Sequence, residues 1–340
     1  MSGRKVSIYF GERDRCDGRF LAERVIAELD AAGIEAAILL RGAEGYGAKH
    51  RLRTDRLLTL SEDLPVVAIA VGEPEAVDAA AGRIGSLPFA GLIVTEEIAI
   101  ANGDDDPVPA GGGWAKLSAY VGRGRRVDGR PAHEWLLGRL HAAGADAGVA
   151  LIGVDGILGG VRRRAGFFAR NADVPALVVA VGEPAALATT AAEIAGMPGV
   201  ALPTFERAQI LGAGGSVGVA AGAAGARRLM LFANEQDHVG GRPVHVEAVR
   251  RLRAAGAAGV TVLRGVRGFA GGREPGGDSL RSLRRRVPTL TLVVDDPERC
   301  ERWLEVLGEL APEGALVLSE EVGIAGGGPE PAQSRPAGTS

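Results

Sequence analysis

Three stretches of the chain alternate apolar with polar or small residues: Val6, Ile8 and Phe10; Leu117, Ala119 and Val121; Leu229, Leu231 and Ala233. A period of two puts every second side chain on one face, so each stretch predicts a half-buried β-strand. The period then lengthens. Ala22, Val25, Ile26 and Leu29 recur at i, i+3, i+4 and i+7, and Leu136, Leu137 and Leu140, then Ala248, Val249 and Leu252, repeat the stripe, which predicts an amphipathic helix. Pro131 and Pro243 stand where the first turn of a helix tolerates proline, and Gly33, Gly144 and Gly256 stand where a helix ends. Each helix leads into a strand (EAAILL, AGVALI, GVTVLR), a long interruption, and a second apolar strand that opens on a proline (PVVAIAV, PALVVAV, PTLTLVV). A helix beginning at an acid-proline pair and a short final strand (GLIVT, GVALPT, GALVLS) close each unit.

The recurrence is a repeat in the strict sense. KVSIYFGERDRCDGRF from Lys5, KLSAYVGRGRRVDGRP from Lys116 and RLMLFANEQDHVGGRP from Arg228 align at offsets of 111 and 112 residues. Gly42, Gly153 and Gly265 stay in step, as do Gly45, Gly156 and Gly268, and Pro65, Pro175 and Pro288 follow after one deletion in the middle copy. Strand, helix, strand, strand, helix, strand is the ferredoxin-like split unit, so the expected fold is α/β (α+β), three tandem βαββαβ domains. The expected domains are 4–101, 115–211 (diverged) and 228–325, with linkers at 102–114 and 212–227 and a disordered tail at 326–340. At up to about 3.3 Å per residue, a 13-residue linker reaches roughly 40 Å, enough for three copies to close around a common axis.

Composition narrows the functions. Charged residues are 24% and the net charge is -3, so wholesale nucleic-acid binding is excluded and any charge-driven role is local. Only 14 of 340 residues are Phe, Tyr or Trp, so the cores are aliphatic. Two cysteines, Cys16 and Cys300, are too few for a disulfide framework, and the first residues lack the apolar run of a signal peptide, so a cytoplasmic protein is expected. Residues 208–226 carry no charge, but glycine and alanine dominate them and they read as a linker rather than a membrane span.

The motifs YFGERDR at 9–15, GRFLAE at 18–23, LLRGAEGYGAKHR at 39–51 and LSEDLPVVAIAV at 60–71 resemble the bacterial domain-of-unknown-function family 190 (UPF0166 type), grouped with the PII-like signalling proteins. The likeness covers nearly all of copy one and the front half of copy three, while copy two keeps GVDGILGG. The resemblance implies a PII-like ferredoxin fold that works as a trimer, here a monomer acting as a single-chain pseudo-trimer. It implies a non-catalytic regulatory protein with a small anionic ligand, a nucleotide or another small anion, in the clefts between domains. It further implies a partner met by a long hairpin loop, either a membrane channel or transporter or another regulated protein; family members are often encoded beside fluoride channels of the CrcB type. The alternatives are a divalent-metal binder of the CutA kind and an acylphosphatase-like enzyme.

The residues of that loop are also unusual on physical grounds. Residues 42–63 separate two strands expected to pair as a hairpin, far beyond the few residues such a turn needs. Its tip carries Lys49, Arg51, Arg53 and Arg56 against Asp55, with His50 between them. The loop of copy two holds Arg162, Arg163 and Arg164, and that of copy three Arg281, Arg284, Arg285 and Arg286. Lys49, His50, Arg51 and Arg53 read as contacts to a small anionic ligand, Arg56 and the arginines of the other two loops as a surface for an anionic partner, and all of them equally as solvated tips. Arg41, Gly42, Gly45 and Gly47 at the loop base read as an anion-binding nest or as plain turn geometry. Arg19, with Arg130 and Arg242 at equivalent positions, reads as a ligand contact or as the partner of a carboxylate such as Glu12 or Asp17. His133 and His245 read as packing residues or metal ligands, and no repeated set of residues forms a catalytic triad.

Overall fold

The computed structural model describes residues 1–47, 53–54, 63–101, 114–164, 174–195, 197, 200–212, 225–271, 273–277, 287–312 and 314–326. Within them the chain is a mixed α/β protein with six helices and one large sheet system. Copy one runs β1 (Ser2–Gly11), α1 (Leu21–Ala31), β2 (Ala36–Arg41), β3 (Pro65–Gly72), α2 (Pro74–Gly85) and β4 (Leu92–Ile100). Copy two runs β5 (Trp114–Gly122), α3 (Ala132–Ala142), β6 (Ala147–Ile152), β7 (Pro175–Gly182), α4 (Pro184–Ala195) and β8 (Val200–Gly212). Copy three runs β9 (Ala226–Asn234), α5 (Val244–Ala254), β10 (Val260–Arg264), β11 (Pro288–Asp295), α6 (Pro297–Leu310) and β12 (Leu316–Gly326).

All strand pairs are antiparallel, and in every copy the first strand lies between the third and the fourth while the second flanks the third. The helices start and stop for local reasons. Pro74, Pro184 and Pro297 open the second helices, and Asp296 caps one of them by accepting from the Arg299 amide at 2.8 Å. Gly33, Gly144 and Gly256 end the first helices at φ of +70°, +91° and +91°, which a residue without Cβ adopts at no steric cost. Pro131 and Pro243 stand one residue before their helices, not inside the first turn.

The first strand of each copy is buried on both faces, and here the half-buried reading of these strands is corrected. Val6 and Ile8 face α1 and α2 with Val25, Ile26 and Val77, and copies two and three have separate helix-side cores of their own. The opposite faces meet in one core common to all three copies, where Leu40, Val67, Tyr120, Leu177, Met230, Phe232 and Leu292 pack. The polar alternates that looked solvent-facing, such as Lys5 and Ser7, are therefore 4% and 1% exposed. On α1 it is Leu21 that is buried, whereas Ala22 of the expected stripe is half-buried.

The final strands run longer than the short segments GLIVT, GVALPT and GALVLS expected for them. The final strands continue because they pair with those of the other copies: Ile100 with Thr204, Ile210 with Leu318, and Gly323 with Thr95. The uncharged stretch 208–226 is consequently strand at both ends, to Gly212 and again from Ala226. Among the described residues no helix is long and apolar enough to cross a membrane.

Candidate functional site

The long interruption of each copy begins by leaving its own sheet. Glu44–Tyr46 pairs with Val260–Val262 of copy three, Asp155–Leu158 with Ala36–Leu39 of copy one, and Arg267–Ala270 with Ala147–Ala150 of copy two. The three loop bases thus pass from copy to copy in a closed cycle, each adding a strand to its neighbour's edge and covering groups an edge strand leaves unpaired.

The glycines serve this crossing. Gly42 donates its amide to Pro65 O at 2.7 Å and Ala43 to Val262 O at 2.8 Å; Gly153 and Val154 do the same to Pro175 O and Leu39 O, and Gly265 and Val266 to Pro288 O and Ala150 O. A Cβ at Gly45 would sit 2.2 Å from Val260 O, at Gly156 2.2 Å from Ala37 O, and at Gly268 2.4 Å from Gly148 O. The Gly42 amide is thus committed to Pro65 O, and Gly45 is needed for close approach to the next copy. Gly47 is exposed with open space about it.

The predicted cations are placed unevenly. Arg41 is not a free loop charge: it grips Glu12 through two contacts of 2.8 and 3.0 Å, and Arg264 holds Glu235 likewise in copy three. Glu12 is therefore taken, and among the described residues no carboxylate pairs with the exposed Arg19, whereas Arg242 reaches Glu247 at 3.4 Å. The Arg53 backbone pairs with Gly45. Arg162 meets Asp155 at 2.7 Å and Arg164 meets Glu23 of copy one at 2.8 Å, so two of the copy-two arginines bind acids of this chain; Arg163 has a partner too. Lys49, His50, Arg51, Arg56, Arg281, Arg284, Arg285 and Arg286 lie outside the described residues. His133 and His245 are buried on their helices, and burial lowers the basicity of His133. Among the described residues no group of His, Cys, Asp or Glu is arranged to hold a metal. Both cysteines are buried, and burial pushes the Cys300 thiol up to about 12.

Sequence reasoning missed the centre of the molecule. Lys5, Lys116 and Arg228 head the first strands, cross-strand from Glu96, Glu206 and Glu320 of the last strands. None of the six exposes more than 6% of its surface. Each cation bridges the glutamate of its own copy and that of another. Lys5 Nζ is 3.1 Å from both Glu96 and Glu206; Lys116 binds Glu206 at 3.5 Å and also Glu320; Arg228 Nη2 is 2.5 Å from both Glu320 and Glu96. Three positive and three negative charges alternate around a closed ring. Burial opposes the charge on Glu96 and Glu320, but Arg228 and the lysines outweigh it and hold both carboxyls below the usual range. Glu206 and Glu96 likewise outweigh burial at Lys5, which is held above the usual lysine range, whereas at Lys116 burial wins and pulls it down. The signal was present in the alignment: a charge at the same interior strand position of every copy.

One α/β unit, written three times and joined through a shared core and a common ring of charges, defines an internally repeated α/β protein. The chain belongs to the DUF190 family, whose model, described as "Uncharacterized ACR, COG1993", matches residues 3–100, 114–210 and 226–324. It is similar to the UPF0166 protein of Aquifex aeolicus (strain VF5), 29% identical over 96 residues that cover 28% of this chain and 90% of that protein. That relative therefore corresponds to about one of the three copies.

Proposed function

We propose that the chain is a non-catalytic regulatory protein of the PII-like kind, three ferredoxin-like domains closed as a single-chain pseudo-trimer. In this reading a small anion binds where the copies meet, contacted by Lys49, His50, Arg51 and Arg53 of the copy-one loop, and the loops engage a partner protein through Arg56 and the arginines of copies two and three. The observation that carries it is the cycle of loop bases. Each loop leaves from the edge of another copy's sheet, so a ligand at a junction touches both the loop and its neighbour and can set the loop's position. The buried ionisable groups of the centre are matched with one another, which leaves the loops and junctions as the surfaces for recognition. Regulation of a membrane channel, a transporter or another protein would follow from the loop position.

The test is a thermal-shift panel on the full chain with nucleotides, phosphate, sulfate, fluoride and divalent metals. The expected result is a rise in Tm with at least one anion, lost when Lys49, Arg51 and Arg53 are replaced together by alanine and weakened in Arg19→Ala. Silence toward every anion overturns the reading. A rise with divalent metals alone would favour a CutA-like binder, and acyl-phosphate hydrolysis abolished by Arg19→Ala an enzyme.

A further inference from the structure

Copies one and two are joined by residues 102–113, and copies two and three by 213–224, but no chain segment joins copy three directly back to copy one. That third junction is held by contacts alone: Glu44–Tyr46 on Val260–Val262, Gly323 on Thr95, and the Arg228–Glu96 pair. The other two inter-copy pairs of the ring, Lys5–Glu206 and Lys116–Glu320, fall on the joined junctions.

We propose that the six-charge ring is a closure lock. It makes the chain close on itself rather than lend a copy to a second chain, and Arg228–Glu96 is the limb that decides between the two. The physical ground is the difference between stability and specificity. A buried ion pair gains little over well-packed apolar side chains, yet one left without its partner is heavily penalised. An apolar patch at the centre would accept a neighbour in any order or register. Alternating charges accept only an arrangement in which every cation lies between two glutamates, so a partly closed chain, or two chains joined out of register, buries a charge with no counter-ion. Copies from two chains can satisfy the same ring by exchange, and what disfavours exchange is the proximity of the third copy of the same chain, provided that the last limb forms. Glu96 supports this assignment, because its two oxygens are divided between Lys5 of its own copy and Arg228 of copy three.

The experiment compares Lys5→Met, Lys116→Met and Arg228→Met by light scattering across a hundredfold range of concentration. The wild-type chain is expected to hold the mass of one chain, 34.9 kDa, throughout. All three variants are expected to melt earlier, but only Arg228→Met is expected to form species of twice that mass as concentration rises, because only its broken junction has no linker. To guard against misfolding, a second variant replaces the whole ring with apolar residues (K5M, K116M, R228M, E96L, E206L and E320L together). It is expected to melt at or above the wild-type temperature and yet to mix one-chain and two-chain species. The proposal is overturned if the apolar-ring protein stays a single chain at every concentration. It is equally overturned if all three single variants dimerise to the same extent.

Discussion

The buried ring and the loop bases occupy the same junctions and have diverged in opposite ways. At the ring, three copies that differ nearly everywhere keep a cation opposite a glutamate, with only the change from lysine to Arg228. At the loops, Glu44 and Asp155 give way to Arg267, whose contact is Glu134 of the neighbouring helix, and the cations beyond share only their sign. A side chain with two charged partners and no solvent cannot change alone. The loop-base position is also buried at Glu44 and Asp155, but its partners change with it, Arg162 of the same loop for Asp155 and Glu134 for Arg267, so it can drift provided that the glycine against the neighbour's carbonyl is retained.

The largest loss is expected from Glu206→Leu, which leaves Lys5 and Lys116 each one carboxylate short; urea unfolding at pH 7 should lose about 3–5 kcal/mol. Gly156→Val comes next, because its side chain would meet Ala37 O at 2.2 Å and force the copy-two loop base off β2; about 1–3 kcal/mol should be lost. Glu247 offers a smaller, pH-dependent effect. The Arg250 hydrogen bond, with Arg251 and Arg242 beside it, outweighs burial and lowers its carboxyl from 4.5 to about 2. A depressed carboxyl stabilises the fold above its unfolded value and loses that contribution as the pH falls through 4.5 toward about 2. The urea midpoints of wild type and Glu247→Gln should therefore differ at pH 7 and converge near pH 2. Least affected should be Arg164→Ala, whose side chain and that of its partner Glu23 are 60% and 40% exposed; stability should change by less than about 1 kcal/mol in the same assay. A large loss there would show that the loop cations are structural.

Most of the secondary structure was legible because it rests on local rules. The stripe Leu136, Leu137 and Leu140, the glycine stops and the acid-proline starts each act within one turn of helix. Of the candidate site, the aligned glycines were legible as glycines, but their reason was not: the atom that excludes a Cβ at Gly45 is Val260 O, 215 residues away in the chain. Arg41 and Arg19 were read as a pair of ligand candidates, and the structure separates them because Arg41 takes the Glu12 expected for Arg19. The ring escaped notice because Lys5 in an alternating strand looks like any solvent-facing lysine.

Reading the chain alone is enough to count three copies, order their elements and assign the family, since periodicity and repeat offsets are properties of one dimension. Which faces are buried is a different kind of fact. Lys5, Lys116 and Arg228 sit in water or at the centre of the molecule depending on whether two other copies lie over their sheets, and only the packed structure shows that they do. Burial changes what those residues are: the same charges that would be loosely screened at a surface become, without solvent, dependent on partners from two copies at once.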